Sequence, residues 1–348
     1  PPALERLVGA LLAKDPDERI QTAHDAKLQL QWATDAGSDA RSGSAAVSAA
    51  VPSWSRGRGS KLAWGVAVVA LLAAAAAWFL PVRQPTGTGR LRYTIEPPGS
   101  FSVTGNSITA AISADGRALV LVASDSSGTS RLWLRELGAL EGRMLEGTEH
   151  ALLPFWSPDS RWVGFFADGK LKRIAIAGGQ PEVLCDAPDA RGGSWGSRGT
   201  IVFAPIATGP LMAVAQEGGE PTEVARPDSV RGETALRAPC FLPDGRHFLF
   251  VSLPRKVEGY DVHLGELGSG KRRVVMRTWA SPVYAEPGYI VAVRGAQLTA
   301  QPFDPGAGKV SGKPMTIGAA PAALAYDGAP AVSVSRSGVL AYSSAGMV

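Results

Sequence analysis

The sequence predicts a mainly β protein: a six-bladed, incomplete β-propeller preceded by two short α-helices, a linker and one transmembrane helix. Three observations carry this. A hairpin signature recurs along residues 90–348, glycine and proline are plentiful at 41 and 26 residues, and one uncharged apolar run of 19 residues lies upstream. A repeat interval of about 40–50 residues, with four strands per copy, is the mark of a propeller. Composition agrees, since 45% hydrophobic and 19% charged residues suit a globular chain better than a disordered one.

Residues 1–33 read as two amphipathic helices. Leu4, Leu7, Val8, Leu11 and Leu12 recur at helical spacing until Pro16 restricts the residue before it. Thr22 can cap a second helix bearing Ala23, Ala26, Leu28 and Leu30. Two such helices cannot bury a core alone, so they are expected to be the remnant of a larger domain, in a chain cut from a longer protein.

Residues 34–60 are rich in Ser, Ala and Gly without periodicity, which predicts a flexible juxtamembrane linker. The transmembrane helix is placed at 61–81. Its core, "LAWGVAVVALLAAAAAWFL" at 62–80, would be about 28 Å long as a helix, close to the hydrocarbon thickness of a bilayer. Trp64 and Trp78 lie near its ends, where indole rings favour the membrane interface. Arg56, Arg58 and Lys61 on one flank nearly balance Arg83, Arg90 and Arg92 on the other, so charge does not orient the span.

From 90 to 348 the copies centre on Ile112, Trp156, Trp195, Phe241, Tyr284 and Val334, at spacings of 44, 39, 46, 43 and 50 residues. Each begins with an apolar strand and a tight turn. Asp115, Asp159 and Asp244 can accept hydrogen bonds from the backbone just ahead of them. Gly116, Gly245 and Gly288 can supply the positive φ of a tight hairpin. A second strand follows, then a third, as in "RLWLREL" (131–137) and "YDVHLGEL" (260–267), and a shorter fourth such as "PEVLCD" (181–186). A four-stranded sheet alone leaves a face wet, and stacking against neighbours buries it. Trp133, Trp156, Trp162 and Trp195 are therefore read as packing between blades rather than stacking ligands. The sixth copy stops after two strands, and "LRYTIEP" (91–97) is expected to serve as its outer strand.

Several chemistries have little support. The net charge of +4 is spread without a long basic block, which argues against nucleic-acid binding. Cys185 and Cys240 have no metal spacing and form no disulfide framework. His24, His150, His247 and His263 likewise lack metal spacing. Gly192-Gly193-Ser194-Trp195-Gly196 fits G-x-S-x-G, but it falls in register with the repeat and no helix follows, as a nucleophile elbow requires.

Two family resemblances extend this reading. Residues 2–32 resemble the end of a bacterial serine/threonine protein kinase catalytic domain, on Leu11, Lys14, Asp15, Pro16 and Arg19. The resemblance implies that Asp15, Pro16 and Arg19 are structural, with Arg19 pairing a buried glutamate outside this chain. Residues 91–348 resemble the WD-like repeats of Tol-type periplasmic proteins, on "SADG" (113–116), "SPDS" (157–160) and "LPDG" (242–245). The copies at 195, 284 and 334 lack the aspartate.

This order is similar to that of bacterial receptor-like kinases. It implies a single-pass inner-membrane protein with a cytoplasmic N-terminal side and an extracytoplasmic propeller that binds a protein or peptide. It also implies contact with the lipid bilayer and a homodimer through the parent kinase. ATP and Mg²⁺ are implied only for a kinase domain, since the Gly-rich loop, ATP-binding lysine, "HRD" and "DFG" motifs are missing from this sequence. As it stands the chain is expected to be no enzyme and to need no cofactor or metal. Two alternatives remain: a membrane-tethered propeller scaffold without signalling, and a propeller gating a peptidase domain.

Overall fold

A computed structural model describes residues 94–95, 110–254, 259–320 and 332–342. The predicted kinase remnant with Asp15, Pro16 and Arg19, the linker, and the span with Trp64 and Trp78 lie outside the described residues. Among the described residues no helix is long and apolar enough to cross a membrane.

Five sheets follow one another, the first four on the same plan. The first holds β1 (Ala110–Ile112), β2 (Ala118–Ser124), β3 (Ser130–Glu136) and β4 (Arg143–Met144). The second holds β5 (Leu152–Trp156), β6 (Trp162–Ala167), β7 (Lys170–Ala175) and β8 (Glu182–Asp186). The third runs through β9 (Gly193–Trp195), β10 (Thr200–Phe203), β11 (Leu211–Ala215) and β12 (Thr222–Ala225). The fourth comprises β13 (Glu233–Phe241), β14 (His247–Pro254), β15 (Tyr260–Glu266) and β16 (Arg272–Thr278). In each, strands pair antiparallel in chain order.

The fifth sheet departs from the plan. It begins with β17 (Val283–Ala285), β18 (Tyr289–Arg294) and β19 (Gln297–Asp304). The fourth position is then shared: β20 (Lys309–Val310) pairs the end of β19, and β21 (Met315–Ala319) pairs its start. Last comes a two-stranded hairpin, β22 (Val332–Val334) and β23 (Leu340–Tyr342). The described residues thus hold five blades of at least four strands and a hairpin in the sixth place. A complete sixth blade is not seen among them. Of the segment expected to complete it, Thr94 and Ile95 are described; neither is in a strand, and Ile95 packs against the cluster that holds Leu119, Leu121 and Trp133.

The first strands adjoin one another in the cyclic order β1, β5, β9, β13, β17, β22 and back to β1. The apolar residues form six clusters, one in each gap of this ring. Val120 and Leu132 of the first sheet meet Val163 and Phe165 of the second. Phe166 and Leu171 of the second meet Ile201 and Phe203 of the third. Val202 and Leu211 meet Leu236, Phe248 and Phe250, and Leu249 and Val262 meet Ile290 and Phe303. Val291 and Leu298 pack on Val332, and Leu119, Leu121 and Trp133 on Val339 and Ala341. Alternate residues of one strand serve opposite gaps, which is why all seven residues of β2 are buried. Burying a Phe or Leu side chain contributes about 1.5–3 kcal/mol, so these gaps hold the ring together.

Trp133, Trp156 and Trp195 are buried in these gaps. Trp162 is half-buried with the Arg173 guanidinium 4.5 Å above its ring, a cation–π contact.

The turns need one correction. Gly116 and Gly245 have φ of 75° and 62°, as a tight turn requires. Gly288 has no positive φ. Glycine is needed there for another reason: a Cβ would lie 2.9 Å from the Phe303 carbonyl oxygen. In the second blade Ser160 takes the left-handed position at φ 60°. Its Oγ accepts from the Asp115 N–H at 3.1 Å, fastening the second turn to the first.

Candidate binding site in the central cavity

In each complete blade the first strand lies at the edge of its sheet. These five edges, with β22 of the hairpin, surround a cavity of about 230 Å³. Its wall is mostly apolar, with Phe155, Trp156, Trp195, Phe241 and Tyr284 among the lining residues.

Edge strands carry backbone groups that the sheet leaves unpaired. Some are used between blades. Ser194 Oγ accepts from the Phe241 N–H at 3.0 Å, Cys240 Sγ from the Tyr284 N–H at 3.5 Å, and Ser333 Oγ from the Ile112 N–H at 3.0 Å. These three side chains occupy the same place in their copies, just before the central residue. Where the first copy has Ala111 there, the link is made differently: the Trp156 indole N–H donates to the Ala111 carbonyl at 2.8 Å.

One mouth of the cavity is formed by the turns after the first strands. Ser197 Oγ and Arg198 Nε donate to the Pro243 and Asp244 carbonyls at 3.2 and 3.1 Å. The Arg336 N–H donates to the Ala114 carbonyl at 2.9 Å, and Ser337 Oγ to that of Asp115 at 3.1 Å. Among the described residues, Arg336 and Glu286 are the only charged ones lining the cavity. The Arg336 side chain reaches the Pro158 carbonyl at 3.3 Å, while its Nε lies 3.7 Å from Glu286 Oε1. It thereby touches the second and fifth blades from the sixth position.

The residues singled out from the sequence are placed in separate hairpins. Asp115 Oδ1 accepts from Ser113 Oγ at 2.6 Å and from the Arg117 N–H at 3.0 Å. Asp159 Oδ1 accepts from Ser157 Oγ at 2.5 Å and the Arg161 N–H at 3.1 Å. Asp244 Oδ1 accepts from the Arg246 and His247 N–H groups, both at 2.9 Å. Partial burial raises the Asp115 carboxyl, but the Ser113 and Arg117 bonds outweigh it and hold the group below the usual carboxylate value. At Asp244, burial is likewise outweighed, there by His247 and the two N–H groups. These carboxylates face their own turns, which accounts for the copies that do without them.

Ser194, at the centre of G-x-S-x-G, stands on β9 with its hydroxyl engaged by Phe241. Cys185 and Cys240 are free thiols; burial pushes the first up to about 11 and also raises the second. Among the described residues no group of His, Cys, Asp and Glu is arranged to hold a metal ion.

Sequence reasoning missed a buried polar group between the third and fourth blades. His263 stacks on Phe250 at 5.2 Å, bonds Ser252 Oγ at 2.9 Å, and lies 3.5 Å from Glu233, which pairs with Arg272 at 2.6 Å. The signal was the alternation in "YDVHLGEL", which puts His263 on the face shared with Phe250 across the ladder.

No family model and no curated protein matches this chain. Several solved structures are similar at low identity. A putative TolB from Agrobacterium tumefaciens shares 18% identity over 49% of this chain and 65% of its own, with a TM-score of 0.43. TolB from Acinetobacter baumannii shares 13% over 56% and 50%, with a TM-score of 0.44. Hydrazine synthase of Kuenenia stuttgartiensis shares 14% over 72% and 75%, with a TM-score of 0.48. The matched region thus spans less than two thirds of either TolB chain.

Proposed function

We propose that this chain is the ligand-binding propeller of a membrane-anchored serine/threonine protein kinase, with the propeller outside the cytoplasm. The ligand is a protein or peptide segment held in the central cavity, and its binding regulates a cytoplasmic kinase domain. One observation supports the binding role above others: six strand edges and five aromatic residues converge on one cavity. Strand edges offer main-chain partners to a polypeptide, and aromatic walls offer it apolar contact. The anchoring and signalling parts rest on the uncharged run at 62–80 and the "KDPDER" segment.

The test is made in the parent protein. Deleting residues 91–348 should alter autophosphorylation under envelope stress and leave the product in the membrane fraction. Unchanged phosphorylation under every stress would overturn the regulatory role, and a freely soluble product would overturn the anchor.

A further inference from the structure

We infer that the central cavity selects a peptide by its free C-terminal carboxylate, with Arg336 as the residue that recognises it. This rests on the cavity being a peptide site, as proposed above, and adds which end of the peptide is read.

Among the described residues the lining is apolar or neutral apart from Arg336 and Glu286. A ligand held there can therefore bring at most one anionic group, to Arg336, and one cationic group, to Glu286, to a partner of opposite sign. A guanidinium presents a planar fork of donors that a carboxylate matches with two parallel hydrogen bonds. Arg336 is held at the mouth by its backbone bond to Ala114 and by the Pro158 carbonyl. Its contact with Glu286, at 3.7 Å, is longer than a hydrogen bond, so that pairing is loose enough to be replaced. Its side chain is 48% exposed, so it can be approached.

A bound carboxylate would exchange this long contact for two short ones, while the preceding apolar side chains lie against Phe155, Trp156 and Trp195. A peptide is favoured over another carboxylic acid because β1, β5, β9, β13 and β17 present sheet edges towards the same space. A free amino terminus directed to Glu286 is the competing arrangement. Arg336 is favoured because it is the more exposed of the two, 48% against 36%, and because its fork of donors meets a carboxylate in two hydrogen bonds.

The experiment is calorimetric titration of the full chain with three probes: acetyl-Leu-Val-Phe as the free acid, the same peptide as its C-terminal amide, and Leu-Val-Phe-amide with a free amino terminus. The free acid should bind at least ten-fold more tightly than the acetylated amide. Arg336→Gln should bring the acid down to the amide's affinity, and Glu286→Gln should keep or strengthen acid binding. The Glu286 variant also serves if Arg336→Gln fails to fold.

Equal affinity for acid and amide would overturn the inference while leaving the cavity a peptide site. Tighter binding of the free-amine peptide, lost in Glu286→Gln, would overturn it in favour of the opposite end. Decanoate binding as tightly as the peptide acid would also overturn it. Failure of every peptide to bind would overturn both this inference and the proposed peptide site.

Discussion

Alanine at Gly193 should destabilise the protein through one aromatic ring in the wall of the cavity. Phe155 lies between two glycines. Gly164 faces it across the β5–β6 ladder, and Gly193 belongs to the next blade. A Cβ on Gly193 would sit 2.6 Å from Phe155 Cε1 and 3.0 Å from Cζ. Carbon atoms prefer about 3.5–4.0 Å, so the ring would have to move by about 1 Å. Phe166 restrains it, with ring centroids 6.0 Å apart.

Gly193 does not need a positive φ, and by itself alanine would favour the strand by about 0.5–1 kcal/mol. Overpacking of this kind costs about 1–3 kcal/mol. A ring displacement of about 1 Å belongs to the upper part of that range, about 2–3 kcal/mol, so the net loss should be about 1–2.5 kcal/mol, a fall in Tm of about 2–10 °C for a domain of this size. Thermal melts followed by circular dichroism would read it. Phe155→Leu removes the ring edge, so the double variant should show a favourable coupling of at least about 0.5 kcal/mol. An unchanged or raised Tm for Gly193→Ala, or strictly additive effects, would refute the account of this contact.

Two further outcomes follow from buried groups. His263 is kept neutral chiefly by burial, reinforced by Arg272 and opposed by Glu233 and Asp261, so its folded pKa lies below the ordinary 6.5. The unfolded chain then binds the proton more readily, and stability that is complete above about pH 6.5 should be lost as pH falls from there through the folded value. Melts between pH 5 and 8 should show this slope, and His263→Gln should flatten it; the same slope in both proteins would count against the assignment. Cys185, raised to about 11, should react slowly with a thiol-disulfide reagent at pH 7.5 and rapidly once unfolded. Equal rates would show that the thiol is not protected by the fold.

Much of the strand plan is legible in the sequence because hairpins are local. The turn at Asp115-Gly116 closes within five positions, as Ser113 Oγ accepts from the Arg117 and Ala118 N–H groups. Runs such as "ALVLVAS" show no alternation because both faces are buried, so in isolation they do not reveal which side chain meets which neighbour. The cavity's polar features are less legible still. Ser194 looks like part of a hydrolase motif in sequence, whereas in space it accepts a backbone bond from a residue 47 positions away. Arg336 sits in the "SRSG" turn of the sixth copy, which lacks the aspartate, yet it meets Pro158 across 178 residues.

The sequence by itself determined the repeat, the antiparallel hairpins and the turn chemistry, since each depends on residues within one hydrogen-bonded turn of one another. Only the tertiary structure decided which side chains meet in each gap of the ring, the burial of His263 beside Glu233, and the meeting of Arg336 and Glu286 at one mouth. Those depend on how sheets stack, and stacking joins residues whose separation along the chain leaves no periodic trace.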